Sequence, residues 1–214
     1  MSLADHASAL TSSLVHANLV PGPAAALVPA SFKPTTIVAV SFGDKAVDLG
    51  TFFRAGECKQ APQISFPPEA DAANAPANAS YIFILTDPDA PTPDDPKFAF
   101  WRHWVISGLK PSVGEGKDDE TQGGKTLTEY LGPGPKDDSK PHRYLFLLYR
   151  KPSSLTLSKT DVGVEEFVQR CSFKPAEVRG EAWTASPGRE LDDLRWGRLG
   201  RVTLSCQALS SVPM

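Results

Sequence analysis

Three short segments of the chain carry side chains whose types and spacing could do chemistry. They are 86–91 (TDPDAP), 101–104 (WRHW) and 132–144 (GPGPKDDSKPHRY). The ionisable groups in them that we consider first are Asp87, Asp89, His103, His142 and Tyr144. Prolines stiffen the first segment, so the backbone there would hold its two carboxylates in fixed directions.

These groups have the chemistry of a small anion site. A phosphate or carboxylate ligand needs several N–H or O–H donors, which His103, His142, Tyr144 and the backbone near Gly134 could supply. A carboxylate such as Asp87 that accepts from an imidazole fixes the tautomer of the ring and raises the pKa of the ring, so that the ring can present a proton to the ligand. It could also accept from an ammonium group. Taken singly, each segment has a plainer interpretation, as a turn in which Asp caps backbone amides or as a structural histidine.

Strands must position these groups. Short β-branched or aromatic runs bounded by Pro, Gly or Asp predict strands over 35–40, 81–86, 103–107 and 144–149. The runs 81–86 and 144–149 are apolar at nearly every position, so we expect both of their faces to be buried. The stretches 110–125 and 132–141 are rich in Gly, Pro, Lys and Asp, which predicts loops.

The N-terminus predicts a helix over 2–19. Its apolar residues recur at spacings of three and four and are Leu3, Ala7, Leu10, Leu14 and Ala17. Ser2 and Asp5 form a capping-box pattern, and Pro21-Gly22 is a stop signal. The helix could pack on the domain, or it could detach and dock on a partner. A second short helix is expected over 164–171, with Asp161 as its N-cap.

Composition narrows the class of protein. The 22 Lys and Arg residues against 25 Asp and Glu give a net charge of −3, which offers no general attraction to nucleic acid or to an anionic membrane. The 3 cysteines form no disulfide or zinc pattern, the first Lys or Arg is Lys33, and no apolar run is long enough to span a bilayer. We therefore expect a cytoplasmic, soluble monomer without a cofactor, with peripheral membrane contact at most.

Three motifs resemble those of one known family in their sequences and in their order along the chain. YIFILTDPDAP, DPKFAFWRHW and YLGPGP…PHRYLFLLYR are similar to the signature of the phosphatidylethanolamine-binding proteins, over roughly 31–151. They look most like its fungal branch, which includes an inhibitor of carboxypeptidase Y, a serine carboxypeptidase. The resemblance implies a mainly β fold: one domain with a large central antiparallel (mixed) β-sheet, a smaller second sheet and a few short peripheral helices.

The resemblance also implies the roles of the site residues. The ligand would be bound by Asp87, His103, His142 and Tyr144, with walls made by Trp101, Pro91, Gly134 and Pro135. Asp89 would lie behind Asp87 and orient the turn. In the family the loop commonly reads GPPKGTG, whereas here Lys136 is followed by Asp137, Asp138 and Ser139, which would shift preference towards cationic or zwitterionic groups.

The domain organisation follows from the same motifs. We predict an N-terminal helical segment over 1–20, the family domain over 21–178 and a divergent C-terminal tail over 179–214. The aromatic strand that closes the domain in relatives is not recognisable in this tail, which carries five of the chain's 10 arginines. The tail could be a solvated basic segment, a partner-binding segment, or the product of an error in the gene model.

These features predict a binding protein and not an enzyme. Its ligand would be a phosphate or a phospholipid head group, and its protein partner a serine carboxypeptidase or a kinase. The alternatives are a phosphoester hydrolase that uses the same groups as acid and base, and a metal site at Asp87, His103 and His142. The sequence contains no GxSxG, HExxH or P-loop motif that would favour catalysis.

Overall fold

The structure is a computed structural model. It describes residues 2–25, 27–28, 32–69, 78–112, 123–136, 138–163, 170–171, 173, 175 and, for the backbone alone, 202–210. The larger of its sheets has six strands in the order β3-β9-β8-β5-β6-β7, and the smaller has three in the order β2-β1-β4. The strands are β1 Ala39–Phe42, β2 Lys45–Ala46, β3 Phe52–Arg54, β4 Gln63–Ser65, β5 Ser80–Asp87, β6 Trp101–Leu109, β7 Lys125–Thr128, β8 His142–Lys151 and β9 Val202–Ser210.

The larger sheet is mixed, because β3 runs parallel to β9 while the other neighbours are antiparallel. Together with the small sheet and the short helices, it confirms the predicted fold class. Among the helices of the described part, none is long and apolar enough to cross a membrane.

The two central strands bury both faces, as their composition predicts. On one face of β5, Ile82 and Ile84 pack in a cluster with Leu10 and Leu14 of the N-terminal helix. On the other face, Phe83 belongs to a second cluster that includes side chains of the small sheet. Side chains alternate along a strand, so one apolar run can serve two cores. The helix, the large sheet and the small sheet therefore form three layers.

The N-terminal helix α1 spans Leu3–His16 and lies packed on the large sheet. Ser2 and Asp5 form the expected capping box, with each side chain accepting from the other's backbone N–H at 3.1 Å. The helix ends earlier than 19 because Asn18 has a left-handed conformation with φ of 52°. Its buried side chains are Leu10, Leu14 and, outside the predicted stripe, His6.

Other predicted elements differ in their bounds. No strand covers 35–38; β1 begins at Ala39, and Thr36 instead donates to the carbonyl of Pro67 at 2.7 Å. The second helix, α2, spans Lys159–Val162 with Ser158 as its N-cap, and Asp161 lies in its first turn. The predicted helix over 164–171 lies outside the described residues apart from 170–171.

The C-terminal region contributes β9, which lies between β3 and β8. The sequence VTLSCQALS alternates apolar and polar residues, the period of a half-buried strand, although it lacks the aromatic residues of the family's closing strand. The strand falls inside the segment that we separated as a tail. The boundaries at 20 and 178 stay a prediction.

Candidate functional site

Three neighbouring strands meet at one end of the large sheet. β5 ends at Asp87, while its two antiparallel neighbours begin there, β6 at Trp101 and β8 at His142. In an antiparallel sheet, the end of one strand lies beside the start of the next. The register pairs Asp87 with Trp101 and Thr86 with Leu145. This geometry brings together segments that are far apart in the sequence.

Asp87 and His142 form a buried pair at the centre of the site. His142 Nδ1 lies 2.8 Å from Asp87 Oδ2, and the two side chains are 3% and 4% exposed. The other carboxylate oxygen, Oδ1, accepts from the backbone N–H of Asp89 at 2.7 Å. Because a carboxylate accepts hydrogen bonds, the pair holds a proton on Nδ1 of His142 and fixes the direction of the ring.

Tyr144 lies between the two imidazoles. Its ring centroid is 5.2 Å from that of His103, edge to face, and 6.5 Å from that of His142, nearly parallel. Burial, followed by the negative charge of Asp87, raises the pKa of the Tyr144 phenol well above its usual value. The hydroxyl therefore keeps its proton and can donate to a ligand.

His103 differs from the expectation that both rings donate to the ligand. Its Nδ1 lies 2.6 Å from the carbonyl oxygen of Leu131, which can only accept, so Nδ1 carries the proton. Burial lowers the pKa of His103, against the opposing effects of the Asp87 charge and the Leu131 carbonyl, and the positive charge of Arg170 lowers it further. The neutral ring has an unprotonated Nε2, and at that atom His103 is an acceptor.

The loop that carries Leu131 is fixed by backbone contacts that the sequence does not reveal. The Leu131 N–H donates to the His103 carbonyl at 3.0 Å, and the Tyr130 hydroxyl donates to the Cys58 carbonyl at 2.5 Å. A Cβ on Gly132 would approach that same carbonyl to 2.8 Å, so glycine is required there. These contacts hold the acceptor that orients His103.

Ser139 is a site residue that sequence reasoning missed. Its Oγ lies 3.0 Å from Nε2 of His142 and 3.0 Å from the carbonyl oxygen of Lys140. Ser139 comes from the part of the loop whose sequence differs from that of the family, and this difference was the signal that could have pointed to it. The same loop is joined to the segment that follows Asp89 by Lys140, whose Nζ is 2.6 Å from Asp94 in an exposed ion pair.

Asp89 points away from the histidines. Its carboxylate accepts from the backbone N–H and the side-chain Nε of Arg143, at 2.7 and 2.8 Å, and also from Nη2 of the same arginine. The Asp89 carboxylate therefore binds Arg143, a residue to which no sequence motif gives a role. This places Asp89 behind the turn that presents Asp87.

The four residues predicted as walls are placed by chain position. Trp101 is paired with Asp87 across the β5–β6 ladder, and Pro91 follows Asp89 by two residues. Gly134 and Pro135 lie in the loop between Leu131 and Ser139, and a Cβ on Gly134 would meet open space. Asp137 lies outside the described residues, and Asp138 is exposed.

The alternative metal site is not formed. Across the described parts of the chain, no group of three His, Cys, Asp or Glu side chains could hold a metal ion. In the trio of Asp87, His103 and His142, Asp87 is bonded to Nδ1 of His142, and the ligand atom that remains on that ring, Nε2, points away from the carboxylate.

A family model and a curated relative both match the sequence of this chain. Residues 42–183 match the family model of the phosphatidylethanolamine-binding protein. The carboxypeptidase Y inhibitor of Saccharomyces cerevisiae is 32% identical over 151 residues, which span 60% of this chain and 68% of the inhibitor.

Solved structures share the fold. A carboxypeptidase Y inhibitor complexed with its cognate proteinase matches with a TM-score of 0.68 and 23% identity, over 96% of both chains. The phosphatidylethanolamine-binding protein from Plasmodium vivax matches with a TM-score of 0.63 and 20% identity, over 94% of this chain and 96% of that one. The family match covers most of the chain, and the relative exceeds 30% identity over two thirds of its length. The chain therefore belongs to the phosphatidylethanolamine-binding protein family.

Proposed function

We propose that this protein is a cytoplasmic, monomeric inhibitor of a serine carboxypeptidase, and that its site binds a small phosphorylated head group. The observation that carries the inhibitor proposal is the 32% identity with the yeast carboxypeptidase Y inhibitor. The shared fold, which extends over 96% of the chain of such an inhibitor, supports it.

The partner contact in this proposal includes the exposed face of α1. Val15 on that face is 53% exposed, the most exposed of the large apolar side chains in the described residues. The opposite face is part of the core, since Leu10 and Leu14 are 1% and 3% exposed. Deleting residues 1–20 would therefore damage the fold, so a substitution on the exposed face is the sharper test.

The test is inhibition of carboxypeptidase Y, measured as the rate of hydrolysis of a blocked dipeptide. The full chain should abolish hydrolysis at about equimolar concentration, and Val15→Lys should weaken inhibition at least about tenfold, since a charge buried in an apolar contact costs more than 1.4 kcal/mol. Phe52→Lys is the matched control, because Phe52 is 44% exposed and lies on β3. Full carboxypeptidase activity in the presence of excess folded protein would end the inhibitor proposal.

The head-group part of the proposal follows from the donors and acceptors of the site. The Tyr144 hydroxyl donates, while the Asp87 carboxylate and Nε2 of the neutral His103 accept. A site with both kinds of group suits a zwitterion, whose phosphate takes the donors and whose ammonium takes the acceptors. Phosphoethanolamine has this chemistry.

Calorimetric titration with three probes tests this pairing. O-phosphoethanolamine should bind more tightly than inorganic phosphate or ethanolamine, each of which satisfies half of the site. Tyr144→Phe should weaken phosphate-containing probes selectively, because it removes one donor and keeps the ring. Equal affinity for phosphate and phosphoethanolamine would contradict the role of the acceptors.

A second candidate function is ester or phosphoester hydrolysis. It is favoured by the order of three side chains: Ser139 Oγ lies 3.0 Å from Nε2 of His142, and Nδ1 of His142 lies 2.8 Å from Asp87 Oδ2. In ester hydrolysis, Ser139 Oγ would bond to the carbonyl carbon and pass its proton to Nε2 of His142. That proton would leave with the alcohol as the C–O bond breaks, and water would then release the serine. The Ser139 N–H already donates to the Lys136 carbonyl at 2.9 Å, which removes it as an oxyanion donor.

Turnover of p-nitrophenyl acetate and p-nitrophenyl phosphate, with and without EDTA, decides this second candidate. Hydrolysis that disappears in Ser139→Ala and in His142→Ala, and that persists in His103→Ala and in Ser8→Ala, would establish it. Ser8 is an exposed serine of α1 and serves as the control. No turnover by the unmodified chain would remove the candidate.

A further inference from the structure

Arg143 lies between the candidate site and the N-terminal helix. It is the second residue of β8, flanked by His142 and Tyr144, which both belong to the site. Tyr144 packs in the core on the side of the small sheet. Because successive side chains alternate across a strand, Arg143 points to the opposite face, where α1 lies.

The Arg143 side chain makes hydrogen bonds both to the end of α1 and to Asp89 in the turn of the candidate site. Its Nη1 donates to the carbonyls of Ala17 and Asn18, at 2.7 and 3.1 Å, where the chain leaves α1. Its Nε and Nη2 donate to the carboxylate of Asp89. A planar guanidinium can hold two partners in fixed directions, which a lysine cannot do. It also carries the charge that suits the C-terminal end of a helix.

The hydrogen bonds continue from Asp89 into the site. Asp89 is 1% exposed, its N–H donates to Asp87 Oδ1, and Asp87 Oδ2 accepts from His142. The carbonyls at the end of α1 are thus joined to His142 through Arg143, Asp89 and Asp87. Each link is a direct contact, and the two carboxylates are buried in one turn.

We propose that Arg143 is a positioning residue that couples the docking of α1 to the geometry of the Asp87–Asp89 turn. A ligand that tightens the turn would then hold α1 more firmly, and a partner that moves α1 would weaken the ligand site. The consequence for ligand and partner rests on the proposed function, whereas the coupling itself is a property of the free protein. Linkage requires that each site affects the other by the same factor.

The test is amide hydrogen exchange of the free protein, measured by NMR. In Asp89→Asn the neutral amide loses the charge-assisted bonds to Arg143, so the amides of Leu10 and Leu14 should exchange faster by a factor of about 5 to 150, the range of measured couplings. The amides of Ile84 and Val105, which lie in the core of the large sheet, report global opening and should change less.

Glu69→Gln is the matched control. Glu69 is a buried carboxylate, 4% exposed, that accepts from Arg150 near the other end of β8. Glu69→Gln removes an equivalent arginine–carboxylate interaction on the same strand. It should therefore leave unchanged the ratio of the amide exchange rates of α1 to those of the sheet core. Arg143→Lys is the second variant, which keeps the charge and should still release α1 because it cannot hold both partners.

Selective acceleration of the α1 amides in Asp89→Asn or in Arg143→Lys would establish the coupling. Acceleration of α1 no larger than that of the core amides in both variants would overturn it. A further readout separates this from the proposed function. Saturating O-phosphoethanolamine should slow the amide exchange of α1 in the unmodified chain and not in Arg143→Lys. If the unmodified chain fails to bind the probe, the ligand proposal is refuted, but the exchange rates measured without the probe still test the coupling.

Discussion

Removing the Asp87 carboxylate should destabilise the protein through two identifiable donors. Asp87→Ala leaves the Asp89 N–H and Nδ1–H of His142 without the acceptors that lie 2.7 and 2.8 Å away. Each of these two buried donors costs about 1–3 kcal/mol when it is left without a partner. Relief of the desolvation of the carboxylate offsets part of this. We therefore expect the free energy of unfolding to fall by about 2–5 kcal/mol.

The asparagine variant separates the charge from the hydrogen bonds. In Asp87→Asn the amide oxygen can still accept from Asp89, and the amide NH₂ would face Nδ1 of His142. The ring should respond by moving its proton to Nε2, opposite Ser139 Oγ, so the loss of stability should be smaller than in Asp87→Ala.

Urea unfolding followed by circular dichroism gives the energies, and ¹⁵N NMR of the His142 ring gives the tautomer. Asp44→Ala, which changes an exposed aspartate in the β1–β2 turn, is the control. A loss below about 1 kcal/mol in Asp87→Ala, or a His142 tautomer that is the same in Asp87→Asn, would refute the proposed pairing.

Three further predictions concern the core, the ion pair between Glu69 and Arg150, and pH. Leu14→Ala should lower the free energy of unfolding by about 2–5 kcal/mol, measured in urea, because the side chain is 3% exposed and packed in the core under α1; a loss near zero would mean that the helix is not docked. Glu69→Ala should cost about 3–5 kcal/mol in the same assay, since it strands Arg150 and the Tyr81 hydroxyl, and a cost like that of Asp44→Ala would contradict this. Burial lowers the pKa of both His6 and His103 below the usual 6.5, so in acid the unfolded chain binds more protons than the folded chain. The urea concentration at the midpoint of unfolding should therefore fall as the pH drops through about 6.5 and below. A midpoint that rises over that range would show that the two rings are charged in the folded state.

The sheet could be predicted from local sequence where burial is dense. In 81–86 and 144–149, apolar residues at successive positions indicated strands buried on both faces, and Ile82 and Phe83 indeed serve different cores. The capping box at Ser2 and Asp5 likewise depends on neighbours in sequence. The strand β9 could not be found by resemblance, because its alternating pattern carries none of the aromatic residues of the family motif.

For the candidate site, the sequence predicts which residues are candidates but not how they are protonated. Motif wording identified Asp87, His103, His142 and Tyr144 as candidates, and the strand ends bring them together. The state of His103 depends on the carbonyl of Leu131, and a backbone carbonyl has no signature in sequence. The link from Asp89 through Arg143 to Asn18 joins residues that are distant in the chain, so only the fold reveals it.

An NMR titration of the chain, ¹⁵N-labelled at its histidines, with O-phosphoethanolamine would show whether this site binds the head group. We expect the ring nitrogens of His103 and His142 to shift together at one affinity, while those of His16, an exposed residue of α1, stay in place. We also expect Tyr144→Phe to weaken that affinity. Unchanged His103 and His142 signals at millimolar ligand would contradict the assignment of the site.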